Sequence, residues 1–324
     1  MKIIITGGAG YIGSVLVRLL LVKQHKVIVL DNLLFGGESL LDLLSHPNFE
    51  FHRVDIRDLN GDEPFFKGVD AIAHLAAIVG DPACAKQPDL ARETNLDAGK
   101  KLYDIAEDNG IKKFIFASTC SNYGKMEDPS QFVTEESTLA PVSLYAETKV
   151  AFEKFLLGQD QSNACKPTCL RFSTVYGLSL RPRFDLTVNE FTKDLALGKK
   201  LVIFGEQFWR PYCHVKDLAR SVISVLESTE SQSAFEVFNV GDTSENYTKK
   251  MLADEISKQI EKSEIEYVQK NEDPRDYRVN FDKIRDQLGF KITMTVPEGI
   301  TEIKKSVVDK FIMDPDNPKY KNVS

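Results

Sequence analysis

Apolar and polar positions follow two rhythms along the first half of the chain. Lys2–Thr6 (KIIIT) is a β-branched run with no polar face, the composition of a strand buried on both sides. From residue 11 to 23 the apolar residues Ile12, Leu16, Leu19 and Leu20 recur at helical spacing. A second strand is predicted at 26–30, ending at Asp31, and similar runs follow at 50–54, 71–75 and 112–118. A helix fits between the last two, with Pro88 in its first turn and Asn109-Gly110 closing it. Another is expected at about 143–157, then a strand at 168–173. Strict alternation of strand and helix requires right-handed crossovers, which build a parallel, doubly wound α/β sheet.

After residue 174 the alternation fails. Charged loops, the lone Trp209 and a helix near 250–262 predict a smaller α/β lobe. The strand-like stretch 235–240 is expected to return to the first sheet, so residues 1–174 and 175–324 form interleaved domains. The polar tail from Asp314 is expected to be loosely ordered.

Composition narrows the function classes. With 42% hydrophobic and 27% charged residues, the chain reads as a soluble globular protein. A net charge of −7 disfavours nucleic acid and acidic membranes as partners. No apolar run reaches the ~18 residues of a membrane span, and the start, MKIIITGGAG, reads as a first strand rather than a leader. The five cysteines, Cys84, Cys120, Cys165, Cys169 and Cys213, lack zinc-ligand spacing; no metal is expected, and reduced thiols point to the cytoplasm.

Between the first strand and helix lies Gly7-Gly8-Ala9-Gly10-Tyr11-Ile12-Gly13. Glycines there let the backbone approach a pyrophosphate, which a helix N-terminus stabilises. Asp31, about 20 residues on, is placed to accept hydrogen bonds from a ribose hydroxyl and to repel a 2′-phosphate, favouring NAD over NADP. A structural glycine turn with a solvated Asp is the plainer alternative. Asp55-Ile56 would bracket the adenine, and the small residues of Leu75-Ala76-Ala77 would let a dinucleotide lie close. Asn95, a poor helix former inside the next helix, is either a cofactor ligand or a surface residue.

Tyr145 and Lys149 are four apart on a helix and share a face. An adjacent ammonium, together with a positive nicotinamide ring, favours the phenolate and makes Tyr145 a base for a hydroxyl proton. A surface Tyr–Lys pair is the alternative. The strand ending at Ser118-Thr119-Cys120-Ser121 puts hydroxyls at the C-terminal end of a parallel strand, where such sheets bind ligands. Thr119 is the first choice, with Ser118 and Ser121 beside it; turn chemistry alone would also explain them.

Together these motifs resemble the extended short-chain dehydrogenase/reductase family, particularly nucleotide-sugar 4-epimerases. The resemblance runs through TGGAGYIG, the Asp31-Asn32 pair, HLAA, STCSNYG, YAETK, RFSTVYG and RPYCHVKD. It implies a Rossmann-type cofactor domain, NAD, a catalytic Thr119–Tyr145–Lys149 triad and a homodimer formed through the helices of Asn95 and Tyr145. It also implies cofactor contacts from Gly7, Gly10, Tyr11, Ile12, Gly13, Asp31 and Asn32. Arg210 and Arg275 would meet the substrate diphosphate, although each has acidic neighbours with which a surface ion pair would form. Arg183 and Asn189 would belong to the substrate wall. Cys120-Ser121 replaces the Asp-Glu of sugar 4,6-dehydratases, which argues against dehydration. Ser121 stands where a Cys serves double epimerisation in relatives resembling GDP-fucose synthase. Thr174 replaces an Asn common in 4-epimerases, while the AIVGDPAC stretch resembles GDP-heptose 4-dehydrogenases. The expected activity is redox chemistry at C4 of a nucleotide-diphosphate sugar, as a 4-epimerase or as a 4-dehydrogenase or ketoreductase. An NAD sensor and a nucleic-acid-binding member of the fold are the other classes, disfavoured by the intact triad and by the charge.

Overall fold

The computed structural model describes residues 1–324 except 127, 129, 130, 262, 271, 272, 274, 323 and 324. The chain opens with β1 (Lys2–Thr6), α1 (Gly13–Val22), β2 (Lys26–Asp31), β3 (Phe49–Arg53) and β4 (Ala71–His74). Next come α2 (Asp81–Lys86), α3 (Pro88–Arg92), α4 (Ala98–Asp108), β5 (Lys113–Thr119), α5 (Leu144–Leu157) and β6 (Lys166–Phe172). These strands lie within one or two residues of the predicted ones, and α1 starts at Gly13 because Tyr11 and Ile12 belong to the preceding turn.

All pairings in the main sheet are parallel, in the order β10-β6-β5-β4-β1-β2-β3, where β10 is Glu236–Val240 from the second half of the chain. Strand alternation explains why the runs lack a polar face. Ile3, Ile5, Val27 and Val29 pack with Leu16 and Leu20 of α1. Ile4, Ile28 and Ile72 face the other way, onto Phe114, Phe116, Phe152 and Leu156. The single helix expected between β4 and β5 is instead broken into α2, α3 and α4, with a π-helical turn at Glu93–Asp97 ahead of α4. Asn95 sits in that wide turn, and its side chain bonds away from the helix.

The second half contains β7 (Thr174–Tyr176), α6 (Thr187–Ala196), β8 (Leu201–Phe204), β9 (Trp209–His214), α7 (Val215–Glu227), α8 (Glu230–Ser233) and β10 (Glu236–Val240). It closes with β11 (Asn246–Thr248), α9 (Lys249–Gln259), β12 (Ile265–Val268), α10 (Asp282–Leu288) and α11 (Val296–Val308). Position 262, the predicted end of α9, lies outside the described residues. Strand β10 pairs parallel with β6, and α7 packs its Leu218, Val222 and Val225 on the same sheet face as α1. The remaining elements form two small sheets, β11-β9-β7 and β12-β8, around Tyr176, Phe184, Val188, Leu252, Ile256 and Ile300.

The tail differs from expectation. Asp316 pairs with Lys193 (2.9 Å) and Lys199 (2.6 Å), and the Phe184 amide donates to the Tyr320 carbonyl (2.9 Å). Ion pairs and one aromatic contact, Tyr320 edge-on to Phe184 at 5.8 Å, thus dock a polar segment; residues 323 and 324 lie outside the described ones. All five cysteines are free and buried. Among the described residues no helix is long and apolar enough to cross a membrane, and no His/Cys/Asp/Glu group is placed to hold a metal.

Candidate active site

The main cavity lies at the C-terminal ends of β1, β2, β4 and β5, the side on which open parallel sheets bind ligands. Its floor is the glycine turn. Gly7 has φ +75, and a Cβ there would meet the Ala76 nitrogen at 2.9 Å; a Cβ on Gly13 would meet the Gly7 oxygen at 2.2 Å. Those two glycines let the turn pack. Gly10 differs: a Cβ would meet only the Gly7 oxygen, at 3.1 Å, and would otherwise occupy the cavity. Its bareness serves a ligand.

One end of the cavity is lined by Asp31, Asn32, Asp55 and Ile56, and its roof by Leu75, Ala76 and Ala77. Asp31 accepts from the Ala9 amide (2.9 Å) and the Leu33 amide (2.8 Å) while facing the cavity; burial raises its pKa against these two bonds. Asp55 is held by Arg57 and by Asn32 (3.0 Å), and the Arg57 hydrogen bond lowers it to about 2, so it is anionic at neutral pH. Ile12 and Tyr11 line the cavity, but the Tyr11 hydroxyl donates to the Gly177 carbonyl at 2.5 Å. Its ring is available to a ligand and its hydroxyl is not.

The other end holds Thr119, Tyr145 and Lys149 together. Ser143 caps α5, its Oγ accepting from the Ala146 amide, which fixes Tyr145 in the first helical turn. Lys149, one turn on, donates from Nζ to the Ala117 carbonyl at 2.8 Å, with the Tyr145 ring centre 5.8 Å away. Thr119 Oγ1 accepts from the Ser121 amide at 3.1 Å. The protein's own groups do not produce the expected lowering of the Tyr145 pKa. Burial raises it, reinforced by Cys84 and Asp81 and opposed by Arg183. Burial likewise lowers Lys149 to about 7, so its ammonium is only partly populated near neutral pH and favours a phenolate less than a solvent-exposed lysine would.

Several expected contacts lie elsewhere. Ser118 borders the cavity, yet its hydroxyl donates to Glu153 (2.9 Å) and accepts from Asn122 (3.1 Å), so it braces the strand end. Ser121 and Thr174 are outside the lining; Ser173 and Val175, on either side of Thr174, line the cavity, and alternation turns Thr174 away. Asn95 is neither a surface residue nor part of the lining. It is 1% exposed and bonds Ile78 through both the amide (2.8 Å) and the carbonyl (3.0 Å), holding the loop that forms the roof. Asn189 is withdrawn as wall: it bonds the Gly177 amide (2.9 Å) and carbonyl (3.1 Å), the Arg183 carbonyl (2.8 Å) and the Tyr11 hydroxyl (3.1 Å). Arg183 does line the cavity, paired with Asp185. Arg210 and Arg275 stand outside it. Arg210 pairs with Asp273 at 3.0 Å, and Arg275 with Asp81 at 2.9 Å.

The sequence reading missed Phe35, Thr94, Arg181 and Asn322, all of which line the cavity. For Arg181 a signal existed: it stands two residues before Arg183 in the same R-P-R segment. Asn322 had none.

A parallel sheet with a bare glycine turn, a carboxylate closing the second strand and a Tyr–Lys helix face in one cavity defines a dinucleotide-dependent enzyme class. Residues 3–241 match the model of the NAD dependent epimerase/dehydratase family, and the chain belongs to that family. It is 29% identical to UDP-glucose 4-epimerase from Lactobacillus helveticus, over 90% of this chain and 92% of that one. It is 34% identical to the uncharacterized UDP-glucose epimerase YtcB of Bacillus subtilis (strain 168), over 70% of this chain and 72% of that one. The fold superposes with a TM-score of 0.79 on UDP-glucose 4-epimerase from Thermus thermophilus, solved in complex with NAD; identity is 26%, covering 95% of this chain and 99% of that one. The cofactor is NAD. The open face of Gly10, Asp31 at the cavity's end and the small residues of the roof all fit it.

Proposed function

We propose that this protein interconverts C4 epimers of a nucleotide-diphosphate sugar through a 4-keto sugar, with a UDP-hexose as the first candidate substrate. The observation that carries this reading is one continuous cavity holding both the glycine turn with Asp31 and the Thr119–Tyr145–Lys149 group. The epimerase names of the relatives support the same reading.

NAD, when bound, supplies a two-electron acceptor that takes hydride from the carbinol carbon and returns it. Tyr145 Oη takes the proton of the C4 hydroxyl and gives it back to the carbonyl oxygen. Thr119 Oγ1, whose lone pair is used by the Ser121 amide, keeps its own proton free to donate to the reacting oxygen. Lys149 Nζ keeps protons to share with a ribose hydroxyl while one holds the Ala117 carbonyl. Burial raises Tyr145 within its protein surroundings, and a cationic ring beside the phenol would oppose that rise, which would tie proton abstraction to cofactor binding. Epimerisation would require the keto-sugar to turn in the cleft and present its other face. The cleft's outer end, beyond Tyr145, is where Arg210 and Arg275 would exchange Asp273 and Asp81 for the substrate diphosphate.

On this reading residues 1–174 with β10 form the cofactor domain and 175–324 mainly the substrate lobe. A homodimer through α4 and α5 is part of the proposal, and sedimentation would report it. Leu102, Ile105, Val150, Phe152 and Leu156 are buried within the single chain, so that interface would use the helices' outer, more polar faces. Dependence on NAD and five reduced thiols suit the cytoplasm, where we place it.

The test is NMR and near-ultraviolet spectroscopy of the purified protein with NAD and a panel of UDP-, GDP-, TDP- and CDP-sugars. A new sugar isomer with catalytic NAD is expected, with Tyr145→Phe slower by about 10³-fold. Stoichiometric reduction of NAD with a released keto-sugar would make the protein a 4-dehydrogenase instead.

A further inference from the structure

Facing the glycine turn across the cavity is a wall built by the segment between β7 and α6, which carries two buried arginines. Arg181 is 7% exposed and Arg183 9%. They are not equivalent. Arg183 is neutralised on the spot by Asp185, through Nε (3.0 Å) and Nη2 (2.8 Å). Arg181 has no carboxylate partner among the described residues. Its Nη1 donates to Asn322 Oδ1 (2.5 Å) and its Nη2 to the Lys321 carbonyl (3.3 Å), both neutral. Its guanidinium lies 4.1 Å from the centre of the Phe35 ring. Its Nε is buried and makes no hydrogen bond among the described residues.

A guanidinium held this way is costly, because burial without a counter-charge forfeits hydration that neutral acceptors only partly replace. Burial, then repulsion from Arg183, lowers it to about 10, so it stays cationic at neutral pH. The other lining cations are engaged, Lys149 with the Ala117 carbonyl and Arg183 with Asp185. The uncompensated charge therefore faces a cavity in which a diphosphate must lie.

Two neighbours locate it along the cofactor's length. Phe35 follows Asp31 closely in the loop after β2, at the ribose–adenine end. Arg183 acts electrostatically on both Tyr11 and Tyr145, towards the nicotinamide end. Arg181 stands between these ends, on the wall facing the bare Gly10, where the linkage joining the two nucleotides falls. We propose that Arg181 is the counter-ion to the diphosphate of NAD, reaching it from the second lobe and held there by the C-terminal strap through Asn322. The strap docks on the same short segment: Phe184 donates to the Tyr320 carbonyl, and the Asn322 amide donates to Asp185 at 2.9 Å. The grip on the cofactor thus depends on residues at the far end of the chain.

The inference rests on NAD as cofactor and not on the identity of the sugar, so it is read by binding without turnover. Calorimetry on the full chain would compare NAD, ADP-ribose and adenosine, and UDP on the NAD-loaded protein. Losing a charge-assisted hydrogen bond should make Arg181→Gln bind NAD and ADP-ribose roughly 10–100-fold more weakly, with adenosine unchanged. Arg181→Lys should recover part of the loss, and Asn322→Ala should weaken the same two ligands by several-fold. Melting temperature controls for folding, which removal of a buried unpaired cation does not threaten. If UDP weakens while ADP-ribose does not, the arginine serves the substrate's diphosphate and the proposal is wrong. Unchanged affinity for every ligand would reduce Arg181 to a structural residue and equally overturn it.

Discussion

Lys149 shows how one residue sets chemistry against stability. It is 3% exposed, its Nζ has one hydrogen bond to the Ala117 carbonyl, and the Phe116 ring lies 4.7 Å away. Burial lowers its pKa from 10.5 to about 7. Below pH 7 both folded and unfolded chains hold the proton, so folding carries the whole cost of burying the charge. Between 7 and 10.5 only the unfolded chain stays protonated, and the cost falls as pH rises; above 10.5 it is gone. Lys149→Met should therefore melt higher than the cofactor-free wild type at pH 7, by roughly 1–2 °C for each kcal/mol recovered. The gap should narrow towards pH 10, while turnover is lost. Calorimetric melts at pH 7 and pH 10 would check this, and a gap that widened with pH would contradict it. The ammonium is kept for what it does to a bound ligand.

At the scale of elements, α5 and β6 are locked beneath the site by a buried ion pair. Arg171 meets Glu153 through Nε (3.1 and 3.2 Å) and through Nη2, and its Nη1 donates to Tyr123 (2.9 Å). Glu153 also accepts from Ser118, so the strand end that presents Thr119 is tied to the helix that presents Tyr145 and Lys149. Glu153→Gln would leave Arg171 buried with a neutral partner and should cost about 3 kcal/mol, read as a lower urea midpoint with an unchanged m-value. A loss below 1 kcal/mol would mean the pair is not what joins these elements. Elements of this first half were legible because its strands are short apolar runs, β1 and β2 being β-branched and buried on both faces, and the glycine turn and Tyr–Lys pair are local patterns. The second half was not. Its strands are three to six residues long and pair non-locally, β7 with β9 and β8 with β12, so period carries little signal. The same holds within the site. Arg181 and Asn322 are 141 positions apart, and the acidic partners of Arg210 and Arg275 lie beyond any motif. A polar tail also reads as disorder until its ion pairs are seen.

Across the whole molecule, one buried polar junction joins the cofactor turn to the second lobe. Tyr11, inside the glycine turn, donates to the Gly177 carbonyl, and Asn189 of α6 bonds both of them together with the Arg183 carbonyl. Gly177 has φ +102, and a Cβ there would lie 2.0 Å from His214 Nε2, so this crossing point admits no side chain. The junction therefore fixes where the arginine-bearing wall stands relative to the turn it faces. Asn189→Leu keeps the volume but strands the Gly177 amide and the Arg183 carbonyl, at about 1–3 kcal/mol for each group left unpaired, while the Gly177 carbonyl keeps its bond from Tyr11. The catalytic group on β5 and α5 is untouched. The expected outcome is a destabilised protein with weaker binding of NAD and substrate, seen as raised KM values, and a smaller change in kcat. Tyr11→Phe removes one hydroxyl and should show the same pattern at about 1 kcal/mol. If Asn189→Leu lost stability while both KM values stayed at the wild-type level, the wall would be held by the C-terminal strap instead. Combining it with Asn322→Ala would then show the two supports to be independent, with additive losses.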